Sequence, residues 1–283
     1  MFDLHVHTGP DVVPRLGDDR QVVEWYAAAG FSGCVLKAHY DSTAGRAATA
    51  GAGLALKVYG GQALNQHVGG INPSAVAAAL DMGARVIWMP TADSHTQQAS
   101  GLHRLCRDHP ELGQASYAVP PVDWSAAPRI AQILSFVAEA DAVLATGHLS
   151  LAEIAWLVPE ARRTGVRRIL LTHPSFTVPD MSAAEARELT AQGCYAEVTA
   201  NQLLSQPDRD AANLAGFVSA VGLRNVVLSS DAGQEVNPAP PQALELLVEA
   251  LAAEGLDRPT LVACASEIPE ALVSPSSTGG ANR

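Results

Sequence analysis

The chain is poor in cysteine, in basic runs and in long apolar stretches. Its 283 residues include four cysteines, Cys34, Cys106, Cys194 and Cys264, far apart and with no Cys-x-x-Cys pair. That pattern excludes a disulfide framework and points to a reduced, cytoplasmic protein with mostly buried thiols. The net charge is −11 and no Lys/Arg run exceeds a pair of residues, which makes nucleic acid a poor partner. No apolar run reaches membrane-spanning length, so no membrane association is expected. A His-bearing motif begins at residue 3, where the regions of a leader peptide would have to lie, so none is expected. No Gly-rich phosphate fingerprint follows the first apolar run; Gly9-Pro10 is not one.

What is present is apolar and periodic. Hydrophobic residues make up 48% of the chain, enough for a substantial core. Eight short apolar runs read as buried parallel strands: 2–8, 33–39, 56–64, 85–91, 142–148, 168–173, 194–201 and 225–231. Helical stretches alternate with them. Asp18-Asp19 opens one that stops at Gly30, and Asn72-Pro73 opens another that ends at Gly83. Ser150 precedes Leu151–Arg163, and Ser182 with Glu185 makes a capping box. Residues 208–220 and 242–254 supply two more. Eight β-α units in about 250 residues predict an α/β chain folded as one (β/α)8 TIM barrel over residues 1–273. A doubly wound open sheet is the alternative. Residues 93–127 break the rhythm as a long connection carrying His95, His103, His109, Tyr117 and Trp124. It reads as a lid or binding loop, or as a plain surface insertion. The tail 274–283, rich in Ser, Gly and Pro, is expected to be disordered.

The chemistry-bearing residues gather at one end of these units. His5 and His7 lie one strand period apart, so their imidazoles share a face, with Leu4 and Val6 expected on the other. Strand ends also carry Lys37 and His39, His148, His173, Glu197 and Asp231. Of only nine histidines, His5, His7, His39, His148 and His173 sit at strand C-termini, the end where barrels of this kind keep their active sites. Imidazole and carboxylate together suit divalent zinc, iron or manganese.

In this pattern the chain resembles the amidohydrolase superfamily of metal-dependent hydrolases. The resemblance covers roughly residues 1–270 and is a sparse pattern of motifs. It matches His5 and His7 to the strand-1 His-x-His, His148 and His173 to the strand-5 and strand-6 histidines, and Asp231 to the strand-8 aspartate. It implies one or two divalent metals, most simply zinc, with Asp231 as ligand and proton shuttle and His173 in the catalytic set. The chain looks like a compact member, without the small accessory β-domain. One departure stands out. Binuclear relatives usually carry a carboxylated lysine or a glutamate on strand 4, whereas here that run ends Trp88-Met89-Pro90-Thr91. Lys37 is the rim lysine that a carboxylated bridge would use, and Glu197 is a further candidate ligand. His39 is either a ligand, as in the related PHP phosphoesterases, or a hydrogen-bond donor behind the ligands.

The expected activity is hydrolysis of an amide, lactone or other ester bond in a small organic substrate by metal-activated water. Arg15, Asn65 and His67 are candidate substrate contacts. A diiron oxygenase on the same cage is the main alternative; a metal-dependent decarboxylase and a non-catalytic barrel follow. Homo-oligomerisation is left open.

Overall fold

The computed structural model describes residues 1–102, 109–112 and 114–275; His103, Cys106 and residues 276–283 of the expected tail lie outside the described residues. The first half runs β1 (Phe2–His7), α1 (Asp19–Ala28), β2 (Gly33–Lys37), α2 (Ala44–Ala50), β3 (Lys57–Tyr59), β4 (Gly61–Ala63), α3 (Pro73–Asp81), β5 (Val86–Trp88), α4 (His95–Ala99) and α5 (Ala127–Glu139). The second half runs β6 (Val143–Ala145), α6 (Leu151–Thr164), β7 (Arg168–Leu171), α7 (Ala183–Thr190), β8 (Tyr195–Thr199), α8 (Ala200–Ser205), α9 (Ala211–Val221), β9 (Val226–Ser229), α10 (Pro240–Ala253), α11 (Arg258–Cys264) and α12 (Glu267–Val273). All neighbouring strands are parallel, in the orders β1-β2-β3 and β4 to β9. Beyond β9 the chain returns to β1. Asp231 N donates to His5 O (2.8 Å) and His7 N to Ala232 O (2.8 Å), completing a (β/α)8 barrel.

The strand expected over 56–64 is broken at Gly60. A Cβ there would lie 2.1 Å from the Thr43 carbonyl oxygen, so only glycine lets the two segments approach. The Thr43 hydroxyl bridges the seam, donating to Leu36 O (2.6 Å) and accepting from Gly61 N (2.8 Å). Another boundary also moves. The run 194–201 ends as strand at Thr199, because Thr199 and Gln202 form a capping box that starts α8 at Ala200. The caps read at Asp18, Asn72, Ser150 and Ser182 are all formed.

Two apolar layers hold the barrel. Inside it lie Phe2, Leu4, Val35, Trp88, Val143, Ala145, Leu170 and Val227, and α12 closes the N-terminal end with Leu272 and Val273. Outside, Val6, Leu36, Ile87, Leu144, Leu171 and Leu228 pack against helix residues such as Val22, Leu157 and Leu247. Leu4 and Val6 therefore do not share a face, contrary to a plain alternation. Asp3 pairs with Cys34 but Val6 with Leu36, so β1 carries one extra residue, a β-bulge. The Asp3 carboxylate holds the bulge by accepting from His5 N (3.1 Å), Ser230 N (3.0 Å) and the Tyr26 hydroxyl. After the bulge, His5 and His7 both face inward.

The described part of 93–127 lies at the C-terminal end of the barrel. Ser94 Oγ donates to His148 O (2.8 Å), and His109 Nε2 lies 2.8 Å from Val12 O on the loop after β1. Cys34, Cys194 and Cys264 are buried and unpaired with one another. Among the described residues, no helix is long and apolar enough to cross a membrane.

Candidate metal centre

Turns after the strands aim the site residues inward. Gly147 takes φ +60°, and a Cβ there would come within 2.3 Å of Met89 O, so this turn admits His148 only behind a glycine. His173 and Asp231 themselves adopt positive φ (+25° and +47°), which is unfavourable for non-glycine residues. Two strained residues at the mouth of one barrel mark a place where geometry is bought with stability.

His5, His7 and Asp231 converge, with one ligating atom of each within 4.8 Å of the others. Asp231 Oδ1 lies 3.0 Å from His5 Nε2 and 3.1 Å from His7 Nε2, and these two nitrogens are 3.3 Å apart. Lys37 Nζ reaches His5 Nε2 at 2.9 Å and lies over the Trp88 ring. The His173 ring stacks on His5 (6.1 Å between centroids), His148 lies 5.0 Å from His173, and His39 stacks on His7 at 4.9 Å. All five strand-end histidines and Asp231 thus line one mouth.

Hydrogen-bond partners fix which nitrogens face the centre. Glu197 Oε1 lies 3.1 Å from His5 Nδ1 and can only accept, so Nδ1 carries a proton and Nε2 is turned to the centre. Likewise Gln97 Oε1, 2.9 Å from His148 Nδ1, leaves His148 Nε2 as a lone-pair nitrogen. That atom and His173 Nδ1 are buried without any hydrogen-bond partner. Buried polar atoms are rarely left so, and a ligand site is one explanation. His7 turns Nε2 to the centre as well, with Nδ1 3.3 Å from the Arg15 guanidinium.

Electrostatics push the same way. Burial holds His7, His39 and His148 well below the usual imidazole range, helped by Arg15, Lys37 and His173 respectively, and brings His173 to about 4. His5 is the exception: burial opposes its charge, but Asp231 and Glu197 raise it to about 9. Those carboxylates are held low despite burial, Glu197 by His5 and Asp231 by His5 and His7. Lys37 falls to about 8 through burial. The site therefore gathers four neutral imidazoles around a charged His5 held between two ionised carboxylates. The donor set and its two unpartnered nitrogens fit a divalent metal.

Other expected residues are placed differently. Glu197 spends its oxygens on His5 Nδ1, the Ser229 hydroxyl (2.6 Å) and His173 N (3.2 Å), so it stands behind the histidines. Asn65 is fully buried and braced rather than free for substrate. Its Oδ1 accepts from Thr91 N and Asp93 N, and its Nδ2 donates to His39 O and Thr91 Oγ1. His67 is exposed, lies 3.0 Å from Gln62 Nε2, and stacks edge-on to Tyr40, outside the histidine cluster. Arg15 reaches the site, but Asp11 holds its guanidinium (2.7 Å), which discounts it as a free anion clamp. Gln97, Ser229, Thr91 and Asp11 join the site only through the fold. Single polar residues without spacing carry no signal until the fold brings them beside a histidine.

The comparisons agree with the fold. The profile of a family of unknown function (DUF6282) matches residues 1–197. No curated protein matches the sequence. Among solved structures, the chain is similar to a lactonase from Listeria monocytogenes (TM-score 0.61, 9% identity, 96% of this chain and 94% of that one). It is also similar to an amidohydrolase from Pseudomonas aeruginosa (0.59, 12%, 96% and 96%) and to an organophosphorus hydrolase from Deinococcus radiodurans (0.60, 12%, 96% and 92%). At these identities the likeness is one of fold, that of amidohydrolase-type TIM barrels.

Proposed function

We propose that this chain, which belongs to the DUF6282 family, is a metal-dependent hydrolase acting on an ester, lactone or amide bond of a small organic substrate. The observation that carries the reading is the convergence of His5, His7 and Asp231 beside the unpartnered His148 Nε2 and His173 Nδ1. The similarity to hydrolases of this fold supports it.

In this reading His5, His7, His148, His173 and Asp231 hold the metal, zinc in the first instance. When bound, a divalent metal supplies a Lewis acid and a water acidified to a pKa of about 7. Glu197 fixes His5 with Nε2 inward, and Gln97 does the same for His148. Asp231 takes the proton of the attacking water and returns it to the leaving oxygen or nitrogen; Asn201 Nδ2 (3.3 Å from Oδ2) keeps the carboxylate oriented meanwhile. A second metal needs a bridging anion. Lys37 is the amine within reach, as the carbamate it forms with carbon dioxide on losing a proton.

The test pairs metal analysis with a hydrolase panel. Purified protein should carry one or two zinc or manganese ions, cleave some lactone, ester or amide, and lose that activity to a chelator. Two irons with a visible absorption band would contradict hydrolysis and favour oxygen chemistry.

A further inference from the structure

The geometry points to His39 as a hydrogen-bond donor to the substrate's carbonyl oxygen rather than a metal ligand; this rests on the hydrolase reading above. The inference starts from Asn65. Its Oδ1 lies 3.0 Å from Thr91 N and 3.2 Å from Asp93 N, and two backbone donors admit only the oxygen there. The Nδ2 end must then donate, to His39 O (2.8 Å) and to Thr91 Oγ1 (2.7 Å). The Thr91 hydroxyl is fully buried and already accepts from Asn65. Its own proton has one acceptor in reach, His39 Nδ1 at 2.9 Å. A proton on Nδ1 would leave that hydroxyl buried with no acceptor. His39 therefore carries its proton on Nε2.

This is the reverse of His5 and His148. Those two donate from Nδ1, to Glu197 and to Gln97, and turn Nε2 to the centre. One mouth thus contains two settings of the same side chain, made by what stands behind each ring: an acceptor for His5 and His148, a hydroxyl donor for His39. A ring with N–H at Nε2 cannot ligate a cation through that nitrogen, and its Nδ1 is occupied by Thr91. What it can do is donate. The ring stacks on His7 at 4.9 Å and lies 6.1 Å from His148, edge-on, so it borders the centre. His39 keeps 7% of its surface accessible, and Nε2 has no hydrogen-bond partner among the described residues.

The role follows. As water adds to the carbonyl carbon, the C–O bond forms and the π pair moves onto the carbonyl oxygen. Nε2–H donates to that oxygen without giving up its proton. When the bond to the leaving group breaks, the pair returns to re-form the carbonyl. Asn65 and Thr91 are positioning residues that set the tautomer before substrate arrives, so no reorganisation is required during the reaction.

The test uses zinc-loaded full-length protein labelled with ¹⁵N-histidine. Long-range ¹H–¹⁵N spectra distinguish the two neutral tautomers, and the His39 signals are assigned as those missing in His39→Gln. The expected result is an Nε2–H pattern for His39 that Thr91→Ser keeps and Thr91→Val loses. Metal analysis of His39→Leu and His39→Gln should match the parent. On a substrate found by the panel, His39→Leu should lower kcat about a hundredfold, the lower end for losing an oxyanion donor, with little change in KM. An Nδ1–H pattern in the parent, or loss of metal in both His39 variants, overturns the inference. A parent that binds zinc yet cleaves nothing instead defeats the hydrolase reading; the spectra and metal content still decide whether His39 is donor or ligand.

Discussion

The two ends of the barrel are built from the same strands and follow opposite rules. At the N-terminal end Phe2, Val35, Val143 and Val227 meet Leu272 and Val273 of α12, and the packing is apolar. At the C-terminal end those strands deliver five histidines, two carboxylates and a lysine, two residues with left-handed backbone and two buried imidazole nitrogens without partners. Packing at the first end needs only volume and shape. Polar groups at the second have lost water and need a neighbour to replace it. One end is closed by apolar packing; the other leaves buried imidazole nitrogens without partners.

The largest separable effects should come from one residue at each end. Phe2→Ala removes a fully buried ring from the plug and should cost about 3–5 kcal/mol of stability while metal content stays at the parental ratio. Denaturant unfolding with metal analysis checks both halves, and a Phe2→Ala protein that folds but loses metal would blur the two ends. Asp231→Asn should do the opposite, keeping the fold and lowering turnover at least about a hundredfold. Near-normal turnover with full metal would remove Asp231 as the proton acceptor.

A smaller effect is expected behind the mouth. Glu197→Gln keeps the shape but exchanges a carboxylate for an amide behind His5, and should weaken metal affinity by about 10- to 100-fold. A competition titration with a chromophoric chelator reads this directly, and an unchanged affinity would detach Glu197 from the centre. The mildest effect concerns pH. His7, His39, His148 and His173 have folded-state pKa values below the ordinary 6.5, His173 at about 4. The unfolded chain binds more protons in this window, so stability from these groups is complete above pH 6.5 and is lost as pH falls toward 4. The Tm of metal-free protein should decline over that range, and a flat profile there would show that the histidines are not buried neutral.

The mouth was more legible in the sequence than its supports. Histidines at strand ends and one aspartate after the last strand are visible as spacing, because strands and their termini repeat along the chain. The bulge at Leu4-His5 was not visible, since it is set by how β1 meets β2 and by Asp3 reaching Ser230, 227 residues away. The break at Gly60 depends on how close Thr43 comes. Glu197 and Asn65 looked like ligand and substrate contact because their residue types allow it. Only the three-dimensional neighbours show that Glu197 is spent on His5, Ser229 and His173 N, and Asn65 on Thr91, Asp93 and His39. The N-terminal plug is illegible for the opposite reason: α12 is short and apolar, and nothing in its pattern says which end of a barrel it closes.

The central claim is that His5, His7, His148, His173 and Asp231 form one metal centre. Elemental analysis of the purified protein beside a His5→Ala/His7→Ala double variant tests it most directly. One or two zinc or manganese ions per chain in the parent, with near-complete loss in a folded double variant, is the predicted result; a parent that stays metal-free after zinc loading, or a double variant that retains its full complement, would contradict it.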